Sequence, residues 1–254
     1  MPSPPSRVAF SVLGIDIMWY GILVTLAIAV GVLLLCARAH RHKLTPDRVI
    51  DFMLFCIPMG LVGARLYYVL FNLDAFSDNP MQIFNTRAGG LAIHGALILG
   101  IVTALILCRL WNVAPLNALD LAAPSFAAAQ AIGRWGNYFN QEAHGGPTDL
   151  PWGLIINRET VHPTFLYESI WCFLLFLLLL KVDVRRKFVG QTFLLYCILY
   201  SLERFFVEGL RTDSLMLFET YRQAQVLSAA VFVVAIVAYV VLRRMKWRWE
   251  QFYY

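Results

Sequence analysis

Lysine is scarce in this chain and absent from every long apolar run; there are four, Lys43, Lys181, Lys187 and Lys246. A Schiff base on a membrane-buried lysine is thereby excluded. There is no glycine-rich phosphate loop of the nucleotide-binding type and no G-x-S-x-G nucleophile elbow. The acidic D-x-x-D-G pattern of alcohol phosphotransferases is also missing. None of the five cysteines, Cys36, Cys56, Cys108, Cys172 and Cys197, belongs to a C-x-x-C pair, and all lie in or beside apolar runs. They read as small apolar residues, so neither disulfides nor a metal site is expected, and no cofactor is called for. Low-complexity stretches and clear repeats are lacking. So is a basic segment leading into a short apolar run and a small-x-small site, which makes the first apolar run a permanent anchor by expectation.

What the sequence has in excess is hydrocarbon. Of 254 residues 59% are hydrophobic, and the mean hydropathy is +0.64. A bilayer crossing needs about 20 apolar residues. Runs of that kind cover 17–36, 49–71, 91–111, 165–180, 191–207 and 224–242, with a weaker one at 114–132 that contains Pro115, Asp120, Pro124 and Gln130. None alternates as a membrane strand would. The expected fold is all-α: a polytopic integral membrane protein of about seven transmembrane helices, a single membrane-embedded domain over 1–254. Two external loops, 72–90 and 136–164, are longer than connection requires, which is where function tends to sit.

Basic residues orient the chain. Arg38, Arg41, Lys43 and Arg48 follow the first run; Lys181, Arg185, Arg186 and Lys187 follow the fifth; Arg243, Arg244, Lys246 and Arg248 follow the last; Arg109 ends the third. Seven crossings place them all on one side, with the N-terminus outside and the C-terminus cytoplasmic. The net charge of +5 is then a topology signal and no sign of nucleic-acid binding. The outer set is entirely arginine: Arg7, Arg87, Arg134, Arg158, Arg204, Arg211 and Arg222, with Arg65 inside the second run. Arginine grips phosphate bidentately and stays charged, which suits an anionic head group.

The densest polar stretch is Gly133-Arg134-Trp135-Gly136-Asn137-Tyr138-Phe139-Asn140-Gln141-Glu142, where an apolar run ends. Ionisable groups at membrane depth are costly, so they mark function. Tyr200, Arg204, Glu208 and Arg211 recur at helical spacing and share one face. That face reads either as a salt-bridge ladder or as Glu208 orienting arginines toward an anion. His94-Gly95, after Gly89-Gly90, is either an ordinary interface histidine or a group that a ligand can approach closely. Tyr20 is either a belt aromatic or a pocket wall. Thr164 and Glu168 read as a cap and a dipole complement of the fifth helix. Gly60 and Gly63 permit close helix packing, and Arg65 requires a partner.

With those segments in hand the chain resembles the prolipoprotein diacylglyceryl transferases of bacterial membranes over nearly its whole length. The likeness rests on Trp19-Tyr20-Gly21, Gly63-Ala64-Arg65, Gly89 through Gly95, the stretch 133–142, His162-Pro163 with Tyr167-Glu168, and Arg204 through Asp213. Ala96 stands where the family often has glycine, and Met18 where it often has arginine. The resemblance implies a bacterial cytoplasmic-membrane enzyme that moves the diacylglyceryl unit of phosphatidylglycerol to the lipobox cysteine of a preprolipoprotein signal peptide. Its catalytic group would be His94, Arg134, Arg204 and Tyr20. Arg134, Asn137, Asn140, Glu142, Tyr200, Glu208 and Arg65 would bind substrate. The competing readings are an anion transporter or channel using the same arginines, and a scaffold whose charges only pair helices.

Overall fold

The computed structural model describes residues 1–2, 6–77, 79–85, 89–214, 216–217 and 220–245. Arg87, Lys246 and Arg248 lie outside the described residues. Seven long α-helices are described: α1 (Trp19–Arg38), α2 (Pro46–Leu70), α3 (Ile93–Leu110), α4 (Pro115–Asn140), α5 (Thr164–Val184), α6 (Gln191–Leu210) and α7 (Gln223–Arg244). Five of them, all but α4 and α6, are long and apolar enough to cross a membrane. Their outward faces carry bare hydrocarbon such as Leu33, Leu54, Ile93 and Val234, as expected of surfaces that meet lipid.

The chain forms two compact units, one of 1–35 with 119–254 and one of 36–118. In the larger, Ala123 and Ala127 of α4 meet Leu175 and Leu179 of α5, with Phe193, Tyr196 and Tyr200 of α6 around them. Small residues on α4 let its neighbours come close. Asp120, fully buried on α4, serves as a cap for α6: its carboxylate accepts from Gly190 N at 2.7 Å and Phe193 N at 2.9 Å, and Arg186 adds a contact at 3.3 Å. The amides at that helix start lack intrahelical partners, and a buried carboxylate satisfies them.

In the smaller unit α2 and α3 pack along each other. Thr45 caps α2 by accepting from Arg48 N at 3.2 Å, with Pro46 at the first turn. Gly63 and Gly95 lie backbone to backbone, with no room for a Cβ on either. Phe52, Leu107 and Cys108 form the buried cluster near the other end.

The structure corrects the purely helical expectation in two respects. Among the described residues three short antiparallel strand pairs are present: β1 (Val8–Val12) with β2 (Ile15–Met18), β3 (Leu154–Ile156) with β4 (Glu159–Val161), and β5 (Met216–Leu217) with β6 (Tyr221–Arg222). Each lies beside a helix end, in segments too short to show a period. The loop expected to begin at residue 136 begins at Gln141, because α4 runs on through the polar stretch to Asn140. The helix stops where Gln141 turns left-handed (φ 55°), and Glu142 N returns to Asn137 O at 3.1 Å. The other expected loop, 72–90, contains two 3-10 turns, Leu73–Phe76 and Pro80–Phe84.

Candidate active site

In the larger unit, helices α4, α5 and α6 together bring the members of a charged chain to the same place. Glu168 of α5 is 1% exposed. Its Oε2 lies 3.1 Å from Arg134 Nε, and its Oε1 accepts from Arg204 Nη1 at 2.6 Å. Arg204 Nη2 lies 2.7 Å from Glu208 Oε2 one helical turn on. Arg134 Nη2 donates to the Tyr200 hydroxyl at 3.2 Å. The Tyr200 ring is stacked on Tyr196, which donates to Gln130 Oε1 at 2.9 Å. One buried carboxylate therefore bridges the two arginines singled out from the sequence.

Both arginine side chains are 19% exposed. Each spends only part of its five N–H donors on the described partners, which leaves donors for an incoming anion. Desolvated charges of this kind are held in geometry by their partners, and fixed donors need no rearrangement when negative charge develops nearby.

The remaining predicted residues of this unit make contacts of their own. Tyr20 lies against Gly136, where a Cβ would sit 2.7 Å from the ring. Glycine is the residue that permits this approach. Trp19 stacks on Phe139 at 4.9 Å. Asn137 and Asn140 both donate to Glu142 Oε1, at 3.1 and 3.2 Å. Glu142 thus collects the two asparagines, and the described residues show no arginine on it. Glu208 is 4.0 Å from Arg211, but Arg211 turns chiefly to Asp213, with bonds of 3.0 and 2.9 Å. Those bonds hold the Asp213 carboxyl below the usual carboxylate range, against the upward pull of its partial burial. The expected ladder is real between Arg204 and Glu208 and nearly lapses at Arg211.

Glu168 was read from the sequence as a helix-dipole complement; its bridging role depends on contacts between helices, which spacing along one helix does not reveal. Thr164 was read as a cap, yet its hydroxyl donates to Ala143 O, and Pro163 occupies the cap position without a side-chain bond. Glu203, one residue before Arg204, is not one of the candidate site residues that the sequence singles out. It is 6% exposed, and neither carboxyl oxygen has a hydrogen-bond partner among the described residues.

His94 and Arg65 belong to the smaller unit. His94 is exposed in the first turn of α3, with its ring 5.9 Å from that of Tyr67. Arg65 has found its partner in backbone. Its Nε donates to Ile83 O, Nη2 to Gln82 O, and Nη1 to Gly89 O and Gly90 O, at 2.7 to 3.0 Å. Gly89 and Gly90 both have positive φ, 90° and 75°, so the turn that presents their carbonyls is one glycine allows. No cluster of His, Cys, Asp or Glu suited to a metal occurs among the described residues.

A family model described as prolipoprotein diacylglyceryl transferase matches residues 7–241. The chain belongs to this family. Relatives named phosphatidylglycerol–prolipoprotein diacylglyceryl transferase occur in Clostridioides difficile (strain 630), 49% identical over 94% of this chain and 96% of the relative, and in Finegoldia magna, 47% identical over 91% and 93%. A third, from Oceanobacillus iheyensis, is 40% identical over 95% and 89%. Membership in the diacylglyceryl transferases makes the chain a transferase and a membrane protein. The buried Arg134–Glu168–Arg204 bridge is therefore a feature of an enzyme that handles lipid.

Proposed function

We propose that this chain transfers the diacylglyceryl group of phosphatidylglycerol to the lipobox cysteine thiol of preprolipoproteins and releases glycerol phosphate. The observation that carries the chemistry is the Glu168 carboxylate joining Arg134 and Arg204. The substrate's sulfur, as thiolate, attacks the glycerol methylene carbon that bears the phosphate. A C–S bond forms, the C–O bond to phosphorus breaks, and the bonding pair leaves with the phosphate. The thiol proton passes to a base. The departing phosphate gains negative charge, and the free N–H groups of Arg134 and Arg204 stabilise it. One preorganised donor of that kind contributes about 3 kcal/mol, or on the order of 10²–10³ in rate. The nucleophile comes from the substrate, so the five cysteines of the chain need no reactivity.

Asn137, Asn140 and Glu142 form a hydrogen-bonding set at the end of α4 that suits head-group hydroxyls, and Tyr20 and Tyr200 supply walls with polar tips. His94 is proposed as the proton acceptor because its imidazole is exposed and carries a ring nitrogen able to take a proton. Arg65 is proposed to serve substrate binding by holding Gln82, Ile83, Gly89 and Gly90 through their carbonyls.

Seven crossings are proposed as well. Helices α4 and α6 have 26 and 20 residues, which is long enough to span. They miss the apolar standard because Asp120, Gln130, Arg134, Glu203, Arg204 and Glu208 point to protein partners or lie buried rather than facing lipid. With seven crossings the basic links fall on one face, which places the N-terminus outside and the C-terminus in the cytoplasm of a bacterial inner membrane. The test is mass spectrometry of a lipobox peptide incubated with the purified protein and phosphatidylglycerol. A thioether-linked diacylglyceryl adduct on cysteine is expected; an unmodified peptide, with the protein intact, overturns the proposal.

A further inference from the structure

The N-terminal hairpin exposes apolar surface that the reaction does not use. Cross-strand pairing puts Phe10 opposite Ile17 and Val12 opposite Ile15 on one face, and Ser11 opposite Asp16 on the other. The Ser11 hydroxyl donates to Asp16 Oδ1 and so satisfies the one acid of the hairpin. On the apolar face Phe10, Val12 and Ile15 are 54%, 50% and 61% exposed. Leu13, at the tip, is 98% exposed.

The turn makes the tip more unusual. Leu13 and Gly14 both have positive φ, 51° and 77°. Two-residue hairpin turns of this kind favour Asn-Gly or Asp-Gly. A leucine there bears the steric cost of a left-handed backbone and, in water, the cost of a bare side chain. The second cost vanishes if the tip sits in hydrocarbon.

The hairpin is also fixed at the level where hydrocarbon begins. Met18 ends β2 and Trp19 begins α1, with no residue between them. Trp19 N donates to Arg7 O at 3.0 Å, which ties the other strand to the same point. α1 is one of the helices able to cross a membrane. Trp19 and Tyr20, both partly exposed at the junction, are residues that settle at the bilayer interface. Arg7 at the hairpin base suits anionic head groups.

We infer that the β1–β2 hairpin is a membrane-interface anchor: it lays Phe10, Val12, Ile15 and the Leu13 tip into the leaflet at the N-terminal end of α1, with Ser11 and Asp16 turned to water. This neither depends on nor follows from the diacylglyceryl-transfer reading. The test places a polarity-sensitive fluorophore on the full-length protein through Leu13→Cys, and separately through Ser11→Cys, in phosphatidylglycerol-containing vesicles. Unsubstituted protein treated alike gives the background from native cysteines. Nitroxide lipids labelled high on the acyl chain should quench the Leu13 probe several-fold more than the Ser11 probe, and aqueous iodide should do the reverse. Strong iodide quenching at Leu13 without lipid quenching overturns the anchor. So does a Leu13 probe shielded from both quenchers, which would mean that protein, a second copy or a substrate, covers the hairpin. Leu13 is exposed, so labelling it leaves the fold unburdened, and circular dichroism on the same samples checks that.

Discussion

Arg65 and the pair Arg134 and Arg204 are the same residue type in apolar surroundings, and they solve the burial problem differently. Arg65 spends four hydrogen bonds on neutral carbonyls at Gln82, Ile83, Gly89 and Gly90, and its product is an ordered turn. Arg134 and Arg204 share a buried carboxylate and keep surface open. A guanidinium wrapped by backbone is used up as a fastener. One held by carboxylates through part of its fork still has N–H donors to offer. The difference teaches that the partner of an arginine, rather than its depth, separates a structural role from a chemical one.

The largest break in this comparison is Glu168→Gln. It removes the charge that holds two desolvated cations, so stability should fall by about 3 kcal/mol and transfer to a lipobox peptide should nearly stop. A thermal melt in detergent and the peptide assay together check this; unchanged melting would show that the bridge carries no load. Arg65→Lys comes next. Lysine keeps the charge but cannot reach four carbonyls in a fork, and losing two hydrogen bonds costs about 1–2 kcal/mol in total. Limited proteolysis should cut faster around Gln82 and Ile83, with transfer reduced far less than at the bridge. Equal loss of activity would make Arg65 a lipid contact after all.

Glu203→Met should have the opposite sign to Glu168→Gln. A buried carboxyl without a donor is replaced by hydrocarbon of similar size, which raises stability by about 1 kcal/mol. A drop in the melting temperature would show that Glu203 has a partner in the working enzyme. The smallest effect is at Asp213. Its carboxyl is held low by Arg211, so the pair stabilises the fold above the ordinary carboxylate range, and that contribution is lost as pH falls through the depressed value. The pair is partly exposed, so the effect stays under about 1 kcal/mol. Melts between pH 7 and roughly pH 3 should show an acid-side decline that Asp213→Asn lacks; an identical decline in the variant would remove the pair from the account.

Much of the fold was legible. Hydrophobic length located six helices to within a few residues at most ends, since the bilayer sets that length. The end of α4 was not legible, because Gly136 and Asn137 read as loop residues, while in the helix Gly136 makes room for the Tyr20 ring. The first hairpin left only a Leu13-Gly14 turn between runs of five and four residues, too short for a period to register. Within the candidate site, Arg134, Arg204 and Glu208 stood out because charge in an apolar run is costly. Glu168 did not, because a carboxylate at a helix start already has a sufficient local explanation.

Arg134 and Arg204 are proposed to act as one unit on one phosphate, and a double-mutant cycle on transfer rate tests that most directly. Arg134→Lys and Arg204→Lys should each slow transfer by on the order of 10²-fold, and the double variant should be scarcely slower than the worse single one. If the double variant instead loses the product of the two factors, the arginines act independently and the bridged clamp is wrong.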